Sequence, residues 1–173
     1  RFKNALHPGE RTTWQVVGYR QNNGSIELNV TGTTKDRRVI DITSRLGTEY
    51  PLMPQIAGPI PNSSRRYLLD QNHLDEFYDC VGARHTGLVP HMLPAAYVPA
   101  TLLRLLEERT QTMEGVNLSM RYDFLARAKP GTLQVDIFPP REPSERKGNV
   151  SQDTKPITYG EIVSSTRQKI LFN

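Results

Sequence analysis

One phrase occurs twice in this chain, and it limits the architecture more than any other feature. Phe2 to Gly9 reads Phe-Lys-Asn-Ala-Leu-His-Pro-Gly and Phe124 to Gly131 reads Phe-Leu-Ala-Arg-Ala-Lys-Pro-Gly, so Phe, Pro and Gly each recur 122 positions on (124 − 2, 130 − 8, 131 − 9). Self-similarity at a fixed offset implies a duplicated structural unit. Both copies lead into segments rich in strand formers. Trp14 to Tyr19, Ile26 to Val30 and Arg38 to Ile42 follow the first, and Leu133 to Ile137 and Glu161 to Val163 follow the second. The chain therefore reads as the tail of one unit followed by a whole second unit.

The segments between these landmarks give an α+β reading. Gln21-Asn-Asn-Gly24 supplies residues that tolerate positive φ ahead of the Ile26, Leu28, Val30 alternation, which predicts a hairpin, and Lys35-Asp36 marks the next turn. Pro51, Pro54, Pro59 and Pro61 with Gly58 disfavour both helix and central strand, so residues 48–65 read as a linker between an N-terminal unit (1–47) and a second unit (66–173). Asp70 is placed to cap a helix whose Leu74, Phe77, Tyr78 and Val81 share a face, and Gly82 stops it. A second helix is expected from about Pro94 to Arg109, started or kinked by Pro99. Its Ala95, Ala96, Val98, Leu102, Leu103, Leu105 and Leu106 surround most of the axis and predict burial on most sides. Val116 to Arg127, Leu133 to Phe138 and Ile157 to Leu171 read as strands, and the polar stretch Pro139 to Pro156 as a long surface loop.

Composition excludes several classes of function. Twenty-two Lys and Arg against eighteen Asp and Glu leave a net charge of +4, but the two signs are interleaved without a basic tract or aromatic-studded stripe, which argues against nucleic-acid binding. His7, His73, His85 and His91 show no metal-ligand spacing, with no His-x3-His or Cys-x2-Cys pair, so no metal or other cofactor is expected. Cys80 is alone, which removes any intrachain disulfide, fits a reducing, cytoplasmic setting and reads as a buried thiol. Apolar runs fall short of the ~18–20 residues that span a bilayer. The first residue is Arg and no signal-peptide pattern follows it.

A short helix, an irregular loop, a largely apolar helix and then antiparallel strands joined by Phe124-x6-Gly131 resemble the hotdog fold, specifically its MaoC-like (R)-hydratase and dehydratase branch, over roughly Arg66 to Leu171. That resemblance implies an antiparallel sheet wrapped around a buried central helix, with a second, partial hotdog unit at the N-terminus. The branch carries a phrase like aromatic-x-x-Pro-x-x-Pro-Gly-Asp-x-Leu, and here Phe124 and Pro130-Gly131 match it, with Leu133 one position ahead of the phrase's Leu. Its catalytic motif, Gly-Asp-x-Asn-Pro-x-His followed by His-Gly-Met, is largely replaced. With Gly82 on the motif glycine, the Asp position holds Ala83 and the His position Leu88, and His91-Met92 lacks the intervening Gly.

The resemblance implies an acyl-thioester hydratase or dehydratase, or related elimination or isomerisation chemistry, in fatty-acid or polyketide metabolism, on a substrate carried by coenzyme A or acyl carrier protein. Both carriers are acidic, which suits the basic balance of the chain. His85 and His91 flank Thr-Gly-Leu-Val-Pro, the loop that lies over the acyl tunnel in a hotdog, and a histidine there is suited to general-base work. His85 is preferred because FabZ-type dehydratases carry theirs at this place. The plain alternative for each is a solvated or helix-capping loop histidine.

Asp79 or Asp75 would supply the carboxylate that the central helix lacks at Ala95-Ala96-Tyr97, where Tyr97 is the nearby proton donor. Arg84 suits a phosphate or carboxylate, and Gly87 and Met92 are expected to contact substrate. Two rivals accompany this reading. A non-catalytic hotdog subunit that binds an acyl chain or scaffolds a partner fits the loss of the motif. A thioesterase is the other, since Tyr78 to His85 resembles the Asp-containing thioesterase loop, although in that branch the phrase follows a strand and here it ends a helix. The N-terminal strands, with Trp14 or Val17, Ile26, Leu28 and Ile40 on one face, are expected to pack on a helix from a second copy or another chain.

Overall fold

The computed structural model describes residues 1, 3, 9–35, 37–47, 60–109, 115–139 and 145–166. The first copy of the repeated phrase apart from Lys3 and Gly9, the proline-rich stretch up to Pro59 and the C-terminal end of the last expected strand lie outside them. The chain forms two compact units, Arg1–Tyr50 with Asn117–Ser119, and Pro51–Val116 with Met120–Asn173.

The first unit is a three-stranded antiparallel sheet in the order β1-β2-β3, with β1 Thr13–Arg20, β2 Ile26–Thr34 and β3 Arg37–Leu46. The register sorts its two faces. Trp14 lies opposite Gly32 and Ile40, Val16 opposite Val30 and Ile42, and Ile26 opposite Leu46, so the apolar face carries Trp14 and not Val17. On the other face Thr43 donates to Asn29 (2.9 Å), Arg45 pairs with Glu27 (3.5 Å) and Thr31 donates to Asp41 (3.5 Å). The turn before β2 has Gly24 at φ +82, a conformation that favours glycine, and Ser25 is tied to Asn23 through both its amide and its hydroxyl.

The second unit holds a five-stranded sheet in the order β4-β6-β7-β8-β5, with two helices. Its strands are β4 Ser63–Leu69, β5 Gly115–Phe124, β6 Gly131–Phe138, β7 Glu145–Gln152 and β8 Lys155–Thr166, and its helices α1 Gln71–Val81 and α2 Met92–Arg109. The β4·β6, β6·β7 and β7·β8 pairs are antiparallel. Two of these strands depart from the sequence reading. β4 lies where the linker and helix start were expected, because Ser63-Ser-Arg-Arg hides a period-two pattern that buries Leu69 and half-buries Arg65 and Tyr67. β7 lies inside the expected surface loop. Its Glu-Arg-Lys-Gly-Asn sequence has little strand character of its own, and pairing on both sides holds it in the sheet.

Helix α1 begins at Asp70, whose side chain accepts from the His73 amide, and ends at Gly82 in the left-handed region, φ +64. Of its expected inward face, Leu74 and Tyr78 are buried while Val81 is 53% exposed. Cys80 is exposed on this helix, contrary to the buried thiol expected. Helix α2 packs on β6, β7 and β8. Ala95, Val98, Thr101 and Leu102 are buried with Leu133, Val135, Ile137, Val150 and Ile162 of the sheet. Burial on most sides is not what the helix shows. Met92, Ala96 and Leu103 are exposed along the opposite stripe, so the helix presents one face to the sheet and a second, small-residue face outward; the side chain of Leu106 lies outside what is described.

Close approach of α2 to the sheet rests on a glycine pair. Gly148 and Gly160 face each other across β7 and β8, and a Cβ on Gly148 would stand 2.7 Å from Val98 Cγ1. A side chain there would force the helix outward, so the glycines fix the height at which α2 and the loop before it are held.

Candidate functional site

The chain between the two helices, residues 82–91, is shaped by α1. Gln71, Asp75 and Tyr78 recur at i, i+4 and i+7 and so form one stripe of the helix. Buried Tyr78 anchors the loop: its hydroxyl donates to the Leu88 carbonyl (2.9 Å) and meets the Thr86 hydroxyl at 2.7 Å. His85 lies on the Tyr78 ring, with centroids 4.5 Å apart. One turn nearer the helix start, Asp75 Oδ1 is 2.9 Å from His85 Nε2 and 2.8 Å from the Gln71 side-chain amide.

The tautomer of His85 follows from its neighbours. Nδ1 accepts the Gly87 N–H at 3.0 Å, so in the neutral ring the proton sits on Nε2, the nitrogen that lies 2.9 Å from Asp75. Gly87 reaches this position at φ +73, which favours glycine. The arrangement is a carboxylate-oriented imidazole whose remaining lone pair is held by a backbone amide. The His85 side chain remains 35% exposed, and the Gln71 amide lies 3.1 Å from its Nε2. Releasing Gly87 from Nδ1 would present that nitrogen to solvent with the carboxylate still beside Nε2.

The remaining candidates occupy separate places. His91 leads into α2 and stacks near Phe124, 5.3 Å between centroids. Burial and then the positive charge of Arg127 hold its pKa below the ordinary histidine value, which favours the neutral ring. Tyr97, inside α2, lies 4.8 Å from the Tyr67 ring, and burial, then Asp70 and Tyr67, raise its pKa and keep the phenol a proton donor. Thr101, fully buried, donates to the Tyr97 carbonyl (2.7 Å) and meets the Tyr67 hydroxyl at 2.8 Å, so Tyr67 donates to it; Arg104 lies over the Tyr67 ring at 5.9 Å. Asp79, Arg84 and Met92 are exposed.

The structure thus brings His85, Gly87 and Asp75 into one hydrogen-bonded group and sets His91 and Tyr97 in others. Tyr78, Gln71 and Thr86 complete the His85 group and were not among the residues expected there. The i, i+4, i+7 stripe ahead of a glycine cap was the signal available for Gln71 and Tyr78, but Tyr78 read as core. Among the described residues no three of His, Cys, Asp and Glu converge as a metal site, and no helix is long and apolar enough to cross a membrane.

No family model and no curated protein matches the sequence. Solved structures do match in shape. A 12:0-acyl carrier protein thioesterase from Umbellularia californica superposes with a TM-score of 0.67 at 9% identity, covering 92% of this chain and 69% of that one. Full-length peroxisomal multifunctional enzyme type 2 from Drosophila melanogaster gives 0.64 at 12% identity over 95% of this chain, and a MaoC-like dehydratase from Phytophthora capsici gives 0.58 at 14% over 90%. The chain spans 35% of the length of the Drosophila enzyme and 64% of the Phytophthora protein. At these identities the likeness shows the fold. The protein has a hotdog fold, an antiparallel sheet with a helix packed against it, together with a three-stranded partial unit at its N-terminus.

Proposed function

We propose that the protein processes acyl thioesters carried on coenzyme A or acyl carrier protein, by hydratase or dehydratase chemistry, with His85 as the general base. The observation that carries this reading is the 2.9 Å contact between the Asp75 carboxylate and His85 Nε2 on the loop that precedes the central helix, with the histidine still partly exposed. Similar folds include a protein described as a dehydratase and others described as acyl thioesterases.

In the dehydration direction His85 Nδ1, freed from Gly87, takes the proton from the carbon next to the thioester carbonyl. The imidazolium then returns that proton to the departing 3-hydroxyl, giving the enoyl thioester and water. The Asp75 carboxylate, 2.9 Å from Nε2, stabilises the transient positive charge. The amide of Gly87, released from the ring, becomes a backbone donor beside the base, suited to a thioester carbonyl oxygen that gains negative charge. The chemistry needs no cofactor, and no nucleic acid or membrane partner enters it.

Replacing His85 by Ala should lower turnover of a 3-hydroxyacyl or enoyl thioester by ~10²-fold or more with the fold unchanged by circular dichroism. Unaltered turnover would remove His85 from the role and direct attention to His91. A second reading has its own observation: both ring nitrogens of His85 are engaged, by Gly87 and by Asp75, which suits a histidine that only braces a loop. In that case the chain binds an acyl carrier or scaffolds a catalytic partner, and the unmodified protein would bind acyl carrier protein yet turn over no acyl thioester.

A further inference from the structure

We propose that the β1–β3 sheet is the seat of a strand–helix–strand polypeptide arrangement, of the kind that β4, α2 and β5 form in the second unit, whose apolar helix covers the Trp14 face. This inference does not depend on which reaction the protein catalyses. It rests on a structural repeat that goes beyond the repeated phrase. The β2–β3 and β7–β8 hairpins both break register just before their turns, at Gly32/Thr33 and at Val150/Ser151, and both turn through a residue with φ near +50, Lys35 and Asp153 (150 − 32 and 153 − 35 both give 118). The approach to the first strand repeats as well. Lys3 N–H donates to the Val39 carbonyl at 2.9 Å and Leu125 N–H to the Ile157 carbonyl at 2.8 Å, and Val39 and Ile157 are both buried. Strands β1, β2 and β3 are therefore the counterparts of β6, β7 and β8.

In the second unit three further elements attach to those strands. β4 pairs with the outer edge of β6, β5 lies along the outer edge of β8, and α2 covers the face. In the first unit, among the described residues, the outer edge of β1 is unpaired and the outer edge of β3 meets only Arg1, whose carbonyl accepts from Asp41, and Lys3. The face where a helix would lie is apolar and open. Trp14 is 54% exposed, Val16 62%, Ile26 42%, Ile42 42% and Leu46 54%, in one patch with Leu28, Val30 and Ile40. Continuous exposed apolar surface of this kind marks an interaction site. The two open edges decide what fits it. A second copy laid face to face would cover the side chains but leave both rows of backbone donors and acceptors unmet, whereas a strand–helix–strand segment answers all three surfaces at once.

Trp14 is the one tryptophan of the chain, so its fluorescence reports on this face directly. A second copy of residues 60–122 fused ahead of Arg1 places Arg1 where Asp123 stands in the second unit and adds no tryptophan. Acrylamide quenching of Trp14 should fall severalfold in the fusion relative to the chain itself, with a blue-shifted emission. The shielding should be lost when only the added copy carries Val98→Asp and Leu102→Asp. Equal quenching in chain and fusion would overturn the proposal. Val16→Lys with Ile42→Lys gives an independent check on the unfused chain: unchanged thermal stability supports an open face, and a marked loss shows that the face is already covered. Light scattering of the unfused chain closes the remaining route, because a dimer with Trp14 shielded would make the second copy the occupant and refute the segment.

Discussion

The β1–β3 and β6–β8 meanders share connectivity, hairpin bulge and turn, yet among the described residues only the second carries a helix. Where β6–β8 places Gly148 and Gly160 beneath Val98, the matching row of the first sheet carries Val16, Val30 and Ile42, all aliphatic and partly exposed. The glycines of the first sheet, Gly18 and Gly32, lie one row to either side and are filled from within: a Cβ on Gly18 would stand 3.1 Å from Leu28, and one on Gly32 2.9 Å from Trp14 and 2.7 Å from Ile40. The contrast separates two contributions. Turns and bulges are local and persist in both sheets, whereas burial of the concave face depends on what is laid over it.

The largest expected effect comes from matched truncations on the two faces. Leu102→Ala empties a buried position between α2 and its sheet and should cost about 2–5 kcal/mol in chemical denaturation followed by circular dichroism. Leu46→Ala, on the open face, should cost less than about 1 kcal/mol, because a side chain 54% exposed has less transfer free energy to lose. Equal costs at the two sites would mean the contrast is not real.

A smaller effect tests the loop for which the first unit shows no counterpart among the described residues. Tyr78→Phe removes the hydroxyl that holds Leu88 and Thr86 while keeping the ring under His85, and should cost about 1 kcal/mol and loosen residues 83–90 to proteolysis. The proposed chemistry adds that turnover should change less in this variant than in His85→Ala. A variant as inactive as His85→Ala would assign Tyr78 a direct part in the reaction.

The smallest effect is one of pH and is confined to the helical unit. His91 has a folded pKa below its unfolded value, so the unfolded chain binds the proton more readily. Its contribution is constant above the ordinary histidine range, and stability falls as pH drops from about 6.5 toward the folded pKa. Replacement by Gln should flatten that slope in urea titrations across this window. A slope unchanged by the substitution would show that other groups carry it.

Much of the second unit was legible because its signals are local. Asp70 and Gly82 bracket α1 as a cap and a left-handed stop, and the apolar repeat of α2 located the core helix. β4 and β7 were hidden for a common reason: Arg65-Arg66 and Glu145-Arg-Lys-Gly-Asn are charged stretches with little strand character, and the place of each strand is set by pairing with its neighbours in the sheet. The second face of α2 misled because small apolar residues such as Ala96 and Ala100 tolerate exposure as readily as burial. In the candidate site, His85 was singled out by its place ahead of a Pro and an apolar helix. The lock on its Nδ1 was not legible, since it depends on the backbone amide of Gly87, a group that every residue but proline carries.

Amide hydrogen exchange on the unmodified chain tests the contrast between the two sheets most directly. The account predicts that Leu133, Val135 and Val150, in strands covered by α2, exchange only through global unfolding, while Val16, Val30 and Ile42 exchange orders of magnitude faster through local opening of the uncovered sheet. Equal protection in the two meanders would contradict it, because the strands would then owe their stability to pairing and turns alone and not to the helix laid over one of them.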